Sequence, residues 1–129
     1  MKLKFIKPEK AKPKYRSNVH RTGRIGFTIE AAKTFGLAVD KSMALAVNSE
    51  DANDKSIYGI LVDNGDENGY KIQKAGAYYS VKAAAFFDFM KTDYSKGDLS
   101  YTLSPLVIEG ESIIEFIPNP RKVMKSKKE

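Results

Sequence analysis

Short apolar runs alternating with polar residues dominate this chain, and turn-forming residues separate them. The stretch KYRSNVHRTG alternates weakly and predicts a first strand that turns at Thr22-Gly23; RIGFTI predicts a second. SMALAVNS and SIYGILVDN read as further strands joined by the polar turn EDANDK. In DNGDENG, Asp-Asn-Gly and Glu-Asn-Gly favour a hairpin into GYKIQKAG. AYYSV follows, and DLSYTLSP and ESIIEFIP form a closing pair around Glu109-Gly110, ended by Pro118 and Pro120.

Two segments change period. Thr28 is a candidate N-cap for a helix over 29–35, with Glu30 in the first turn, where the helix dipole favours an acid. Gly36 can stop that helix in the left-handed conformation. A second helix is expected from about Lys82 to Lys91, with apolar spacing Ala84, Phe87, Met90 or Ala83, Phe86, Met90. GRIGFTIEAAKTFGL and GAYYSVKAAAFFDFM share an outline fifty-three residues apart: a glycine, a short apolar run, then paired alanines (Ala31-Ala32, Ala84-Ala85). Internal duplication explains this, and so does the general use of small alanines to pack a helix close to a sheet.

Two helices of about two turns cannot close a core alone, so the sheet must do most of the burying. The expected fold is α+β, mainly β: a curved antiparallel sheet of six to eight short strands wrapped around two short helices. Its domains are a basic arm over 1–13, one globular domain over 14–119 and a basic tail over 120–129, which should fray.

Composition agrees with one folded unit. At 129 residues, roughly two thirds of the unfolded surface can be buried. The sequence has no cysteine, which excludes a disulfide framework, thiol catalysis and cysteine-ligated zinc and agrees with a reducing compartment. The N-terminus is basic but lacks the apolar run of a secretory signal, and no window approaches the ~18 apolar residues of a membrane helix. The expected location is cytoplasmic, away from membranes.

The net charge of +6 is distributed unevenly. Residues 1–24 carry nine Lys or Arg against one acid, and residues 120–129 five against one. Between them, Ile25 to Asn119 holds eight basic and fourteen acidic groups. Basic ends on an acidic body suit a polyanionic partner, although such tails also serve solubility.

Catalytic equipment is sparse. His20 is the single histidine, so neither a His-His metal pair nor an H-E-x-x-H helix exists. Nucleophile-elbow, Walker and dinucleotide-binding glycine patterns are missing, and Gly23-Arg24-Ile25-Gly26 has too few glycines to cradle phosphate. Asp63, Asp66 and Glu67 lack the twelve-residue spacing and closing glutamate of a calcium loop and read as a solvated hairpin. No enzyme activity, metal or cofactor is expected.

Basic charge interleaved with aromatic and hydrogen-bonding side chains is what remains. Lys12 and Lys14, with Arg16, Arg21 and Arg24, could contact phosphates, while Tyr15, Asn18 and His20 could stack on bases or bond to their edges. In a strand, Lys14, Arg16, Asn18 and His20 share one face, and Tyr15, Ser17, Val19 and Arg21 the other. An exposed strand facing water is the plainer alternative. Tyr78-Tyr79 adds a further stacking surface, with at least one of the pair expected in the core.

Residues 23–47, GRIGFTIEAAKTFGLAVDKSMALAV, resemble the AbrB-type swapped-hairpin motif of bacterial transition-state regulators and antitoxins. The matching positions are Gly23, Arg24, Ile25, Ile29, Glu30, Gly36, Leu37, Asp40 and the run from Met43 to Val47. Thr28 stands where that motif usually has proline, and Ala32-Lys33 where it usually has a basic pair. The resemblance implies two chains interleaving their hairpins, with DNA contacts from Arg24, Arg21 and Lys33. The doubled strand-to-helix corner is also similar in architecture to Whirly-like single-stranded DNA binders.

The expected function is therefore non-enzymatic binding of nucleic acid, DNA more than RNA, by a homodimer or higher oligomer whose exposed strand edges are closed by a partner chain. The alternative is a structural or adaptor protein, such as a phage or assembly component, that docks its basic arms on an acidic protein.

Overall fold

The computed structural model describes residues 1–5, which form no regular element, and residues 15–121. Eight strands follow in chain order: β1 (Tyr15–Asn18), β2 (Arg24–Thr28), β3 (Lys41–Ala46), β4 (Ile57–Asp63), β5 (Gly69–Ala75), β6 (Tyr78–Lys82), β7 (Ser100–Ile108) and β8 (Glu111–Pro118). Helix α1 (Ile29–Phe35) follows β2 directly, and α2 (Ala84–Phe89) follows β6. The sheet order is β1-β7-β8-β4-β3-β5-β6-β2, with every neighbouring pair antiparallel. This is the mainly-β fold expected from the alternation, at the upper end of the expected strand count.

The two end strands nearly meet, so the curved sheet is almost a closed barrel. One bridge, Val19 to Ile25, joins β1 to β2, and the His20 N–H donates to the Arg24 carbonyl at 2.8 Å. Deeper in this seam the buried Ser17 hydroxyl donates to the Gly26 carbonyl. A side chain thus serves a carbonyl on an edge strand that would otherwise lack a ladder partner.

Inward side chains from all parts of the sheet meet in one core. Phe27, Phe87 and Phe116 are its largest fully buried members, and Phe27 and Phe116 meet edge-on at 6.0 Å. Burying each such ring contributes on the order of 2–3 kcal/mol.

Because β2 and β6 pair antiparallel, with Arg24 opposite Lys82 and Thr28 opposite Tyr78, their helices leave from opposite ends of the barrel. They bury Ala31 and Ala32 at one end, and Phe86 and Phe87 at the other. At the α1 corner the Thr28 hydroxyl accepts from the Ala31 N–H at 3.2 Å, and Gly36 takes a left-handed conformation at φ 75°. Both features were legible in the sequence.

Helix α2 is shorter than its apolar spacing predicts. No side chain caps it at Ala83, and Lys91 turns the chain away at φ 57° after Met90. Gly23, at φ 88°, lies against this corner: a Cβ there would come within 2.6 Å of both Cα and Cβ of Ala84. The small residues of the repeated corner therefore allow a turn and a helix to pack almost backbone to backbone.

Candidate nucleic-acid interface

The β1–β2 seam opens outward into a groove of about 950 Å³. Asn18, His20, Arg21, Thr22 and Arg24 line it from β1, the following turn and β2, while Tyr78, Ser80 and Lys82 line it from β6. Strand alternation explains the β6 set. Val81 points into the core with full burial, so Tyr78, Ser80 and Lys82 share the outer face. On β1 and the two residues that follow it, Ser17 and Val19 are buried and Arg16, Asn18 and His20 exposed, which matches the alternation read from the sequence.

Three cations converge on this groove, and among the described residues no acid lines it. Arg24 and Lys82 are direct cross-strand partners, both exposed. The Arg21 side chain lies beside Gly97, where a Cβ would stand 3.2 Å from its Nε. Among the described residues the ion pairs are Lys41 with Asp63 and Arg121 with Asp98, so the groove cations have no carboxylate partner.

An aromatic pair lies between them. The Tyr78 ring reaches diagonally over Gly26, whose missing side chain leaves room: a Cβ there would stand 2.8 Å from the ring carbons Cε2 and Cζ. Tyr78 meets His20 edge-on, with centroids 6.1 Å apart, and is 37% exposed. The two rings therefore bridge the seam from opposite sides.

The sequence-expected contacts divide on this geometry. Asn18, His20, Arg21 and Arg24 come together in the groove. Arg16 shares the outer face of β1 but donates through Nη2 to Ser100 Oγ at 3.0 Å. Tyr15 is on the opposite face of that strand, edge-on to Phe35 at 5.9 Å, and its hydroxyl accepts from Thr34 Oγ1 at 2.9 Å. Lys33, on α1, belongs to a different cleft shared with Leu61, Pro105 and Ile113. Lys12 and Lys14 lie outside the described residues, as do most of the arm and tail.

Lys82, Ser80 and the placement of Tyr78 were missed. Alternation within AYYSVK puts all three on one face, but only the long-range β2–β6 pairing brings that face to Arg24. The expectation that one of Tyr78 and Tyr79 joins the core holds, since Tyr79 packs against it.

Charge differs across the barrel. In residues 15–28 and 76–87, which contain β1, β2, β6 and the start of α2, there is no acid. Strands β3 and β4 are farthest from the seam in sheet order. Their connections carry Glu50, Asp51, Asp54, Asp66 and Glu67, and Asp63 ends β4. Asp54 accepts from the Tyr58 hydroxyl at 2.6 Å, which holds its carboxyl below the ordinary range and pushes the Tyr58 hydroxyl up to about 12.

Among the described residues, no group of three or more His, Asp or Glu side chains is placed to hold a metal ion. No helix there is long and apolar enough to cross a membrane. The segment resembling the swapped hairpin forms β2, α1 and β3; within this chain β2 pairs with β6, and β3 with β4 and β5. The chain matches no protein family, no curated protein and no solved structure, and the chemistry of the groove rests on its own residues.

Proposed function

We propose that this protein binds nucleic acid, DNA more than RNA, without catalysing a reaction on it, and that the seam groove is the contact surface. The observation that carries this reading is the meeting of Arg21, Arg24 and Lys82 around one groove that, among the described residues, no acid lines. Exposed like charges repel unless an anion lies between them, and a phosphate chain supplies evenly spaced anions. Asn18, His20 and Ser80 add hydrogen-bonding groups at the same level. The acidic far side discourages wrapping and orients the molecule with its seam toward the polymer.

A cytoplasmic location and a homodimer belong to the same proposal. Support for association comes from the β7–β8 hairpin: among the described residues β1 pairs with β7 from Ser100 to Leu103, and Val107 and Ile108, farther along β7, are exposed. The uneven charge also suits a second reading, in which the basic seam docks on an acidic protein surface such as that of another copy.

The test is fluorescence anisotropy of labelled oligonucleotides with the full chain and with an Arg21→Ala, Arg24→Ala, Lys82→Ala variant, over a salt series. The expected result is a loss of roughly tenfold or more and a shallower salt dependence. Unchanged affinity in the triple variant refutes the groove as the contact surface. Salt-sensitive self-association without nucleic-acid binding, seen by light scattering, selects the second reading.

A further inference from the structure

Resting on the nucleic-acid reading of the seam groove, we infer that its ligand is single-stranded, with a base stacked in the bay formed by Tyr78 and His20. Three features of the wall carry this. None of the lining residues belongs to a helix, and the groove runs over strands and a tight turn. A duplex keeps its base edges inside its grooves, where a protruding helix or ribbon must reach them. Against this surface a duplex would meet only the three cations, leaving the aromatic pair and Asn18 unused.

The second feature is the seating of Tyr78. Gly26 gives the ring room to lie over β2, and His20 meets it edge-on, so the ring is held between two strands yet remains 37% exposed. An aromatic face held this way loses little further freedom when a base covers it. The third feature is the arrangement of partners. Arg24 and Lys82 flank β2 and β6 at one end of the bay, Tyr78 lies toward the other, and Ser80 stands between Tyr78 and Lys82 on the same face. Phosphates on one side and a stacked base on the other are how one strand presents itself when its bases are unpaired.

The experiment uses the full chain with fluorescein-labelled oligo(dT) and with the same strand annealed to oligo(dA), at low salt. Wild type should bind the single strand at least about tenfold more tightly. Tyr78→Ala should weaken single-strand binding by roughly 5- to 100-fold, leave duplex binding within about twofold, and keep the salt slope unchanged. Tyr78→Phe, which keeps the ring, should retain wild-type affinity, and both variants must show wild-type circular dichroism. His20→Ala supplies the second arm if Tyr78→Ala fails to fold, with a smaller loss in the same direction. Equal binding of the two probes, or indifference to both aromatic substitutions, overturns the single-strand inference while cation-dependent binding upholds the groove. If neither probe binds, the nucleic-acid reading itself falls.

Discussion

Arg24 and Lys82 stand directly opposite each other on neighbouring antiparallel strands, both exposed and, among the described residues, neither paired with a carboxylate. Like charges in that register destabilise a sheet by a few tenths of a kcal/mol up to about 1 kcal/mol. An opposite-charge pair at the same place should therefore stabilise the free protein while removing a phosphate contact. Lys82→Glu is expected to raise the melting temperature by roughly 1–4 °C and to weaken oligonucleotide binding in the same preparation. Thermal unfolding by circular dichroism and anisotropy titration check the two signs separately. A fall in both stability and affinity would mean that Lys82 serves the fold rather than a ligand.

Gly23 predicts the opposite kind of failure. Its φ of 88° strains any other residue, and a Cβ there would strike Ala84 at 2.6 Å, where both contacted atoms lie at the root of a helix. Neither chain can swing aside as a long side chain would. Gly23→Ala is expected to destabilise the fold by roughly 2–5 kcal/mol, the combined scale of positive-φ strain and overpacking. Urea unfolding measures it. The comparison variant is Gly110→Ala, where φ is also positive, at 80°, but nothing lies within 4 Å. It should cost only the conformational part, so the difference isolates the contact with α2.

Local rules recovered what depends on neighbours in sequence. The Thr28 cap, the Gly36 stop and the turns at Thr22-Gly23, DNGDENG and Glu109-Gly110 each involve residues within a few positions of one another. The groove is different in kind. Arg24 meets Lys82 across fifty-eight positions because β2 and β6 pair, and nothing local in either strand specifies that partner. Of the seven expected contact residues that are described, four line the groove because they lie on one short stretch, from Asn18 to Arg24. Lys33 was expected from a resemblance, and its helix carries it to another cleft. Tyr15 was expected from residue type, while the alternation that placed it opposite Asn18 already separated the two. The end of α2 was hidden because a lysine, not a glycine, takes the left-handed turn.

The seam itself makes a prediction about β1. Ladder bonds hold this strand to β7 on one side, but toward β2 it has one bridge and the Ser17 hydroxyl on the Gly26 carbonyl. Removing the hydroxyl leaves a buried carbonyl without a donor, at a cost of about 1–3 kcal/mol. Ser17→Ala is expected to lower stability by that amount and to speed amide exchange in β1 and the Thr22-Gly23 turn before other strands respond. Hydrogen exchange read by NMR resolves this order. Uniform acceleration across the barrel would show that the hydroxyl supports global stability without locking the seam.

Titration should destabilise the protein at alkaline pH through two tyrosines. Burial pushes the Tyr101 hydroxyl up to about 12, and the bond to Asp54, followed by burial, does the same for Tyr58. In the unfolded chain both ionise near pH 10. Their contribution is therefore complete below about pH 10 and is lost as pH rises from there toward 12, because the unfolded state releases its protons first. Asp54 acts in the opposite sense: its lowered value adds stability above the ordinary carboxylate range, which is lost as pH falls through it. Thermal melts from pH 3 to 12 should show a plateau between these limbs. Tyr101→Phe should flatten the alkaline limb without changing the acid one, whereas Tyr58→Phe should change both, since it removes the shared hydrogen bond. An alkaline limb unaltered by either substitution would trace it to the basic side chains instead.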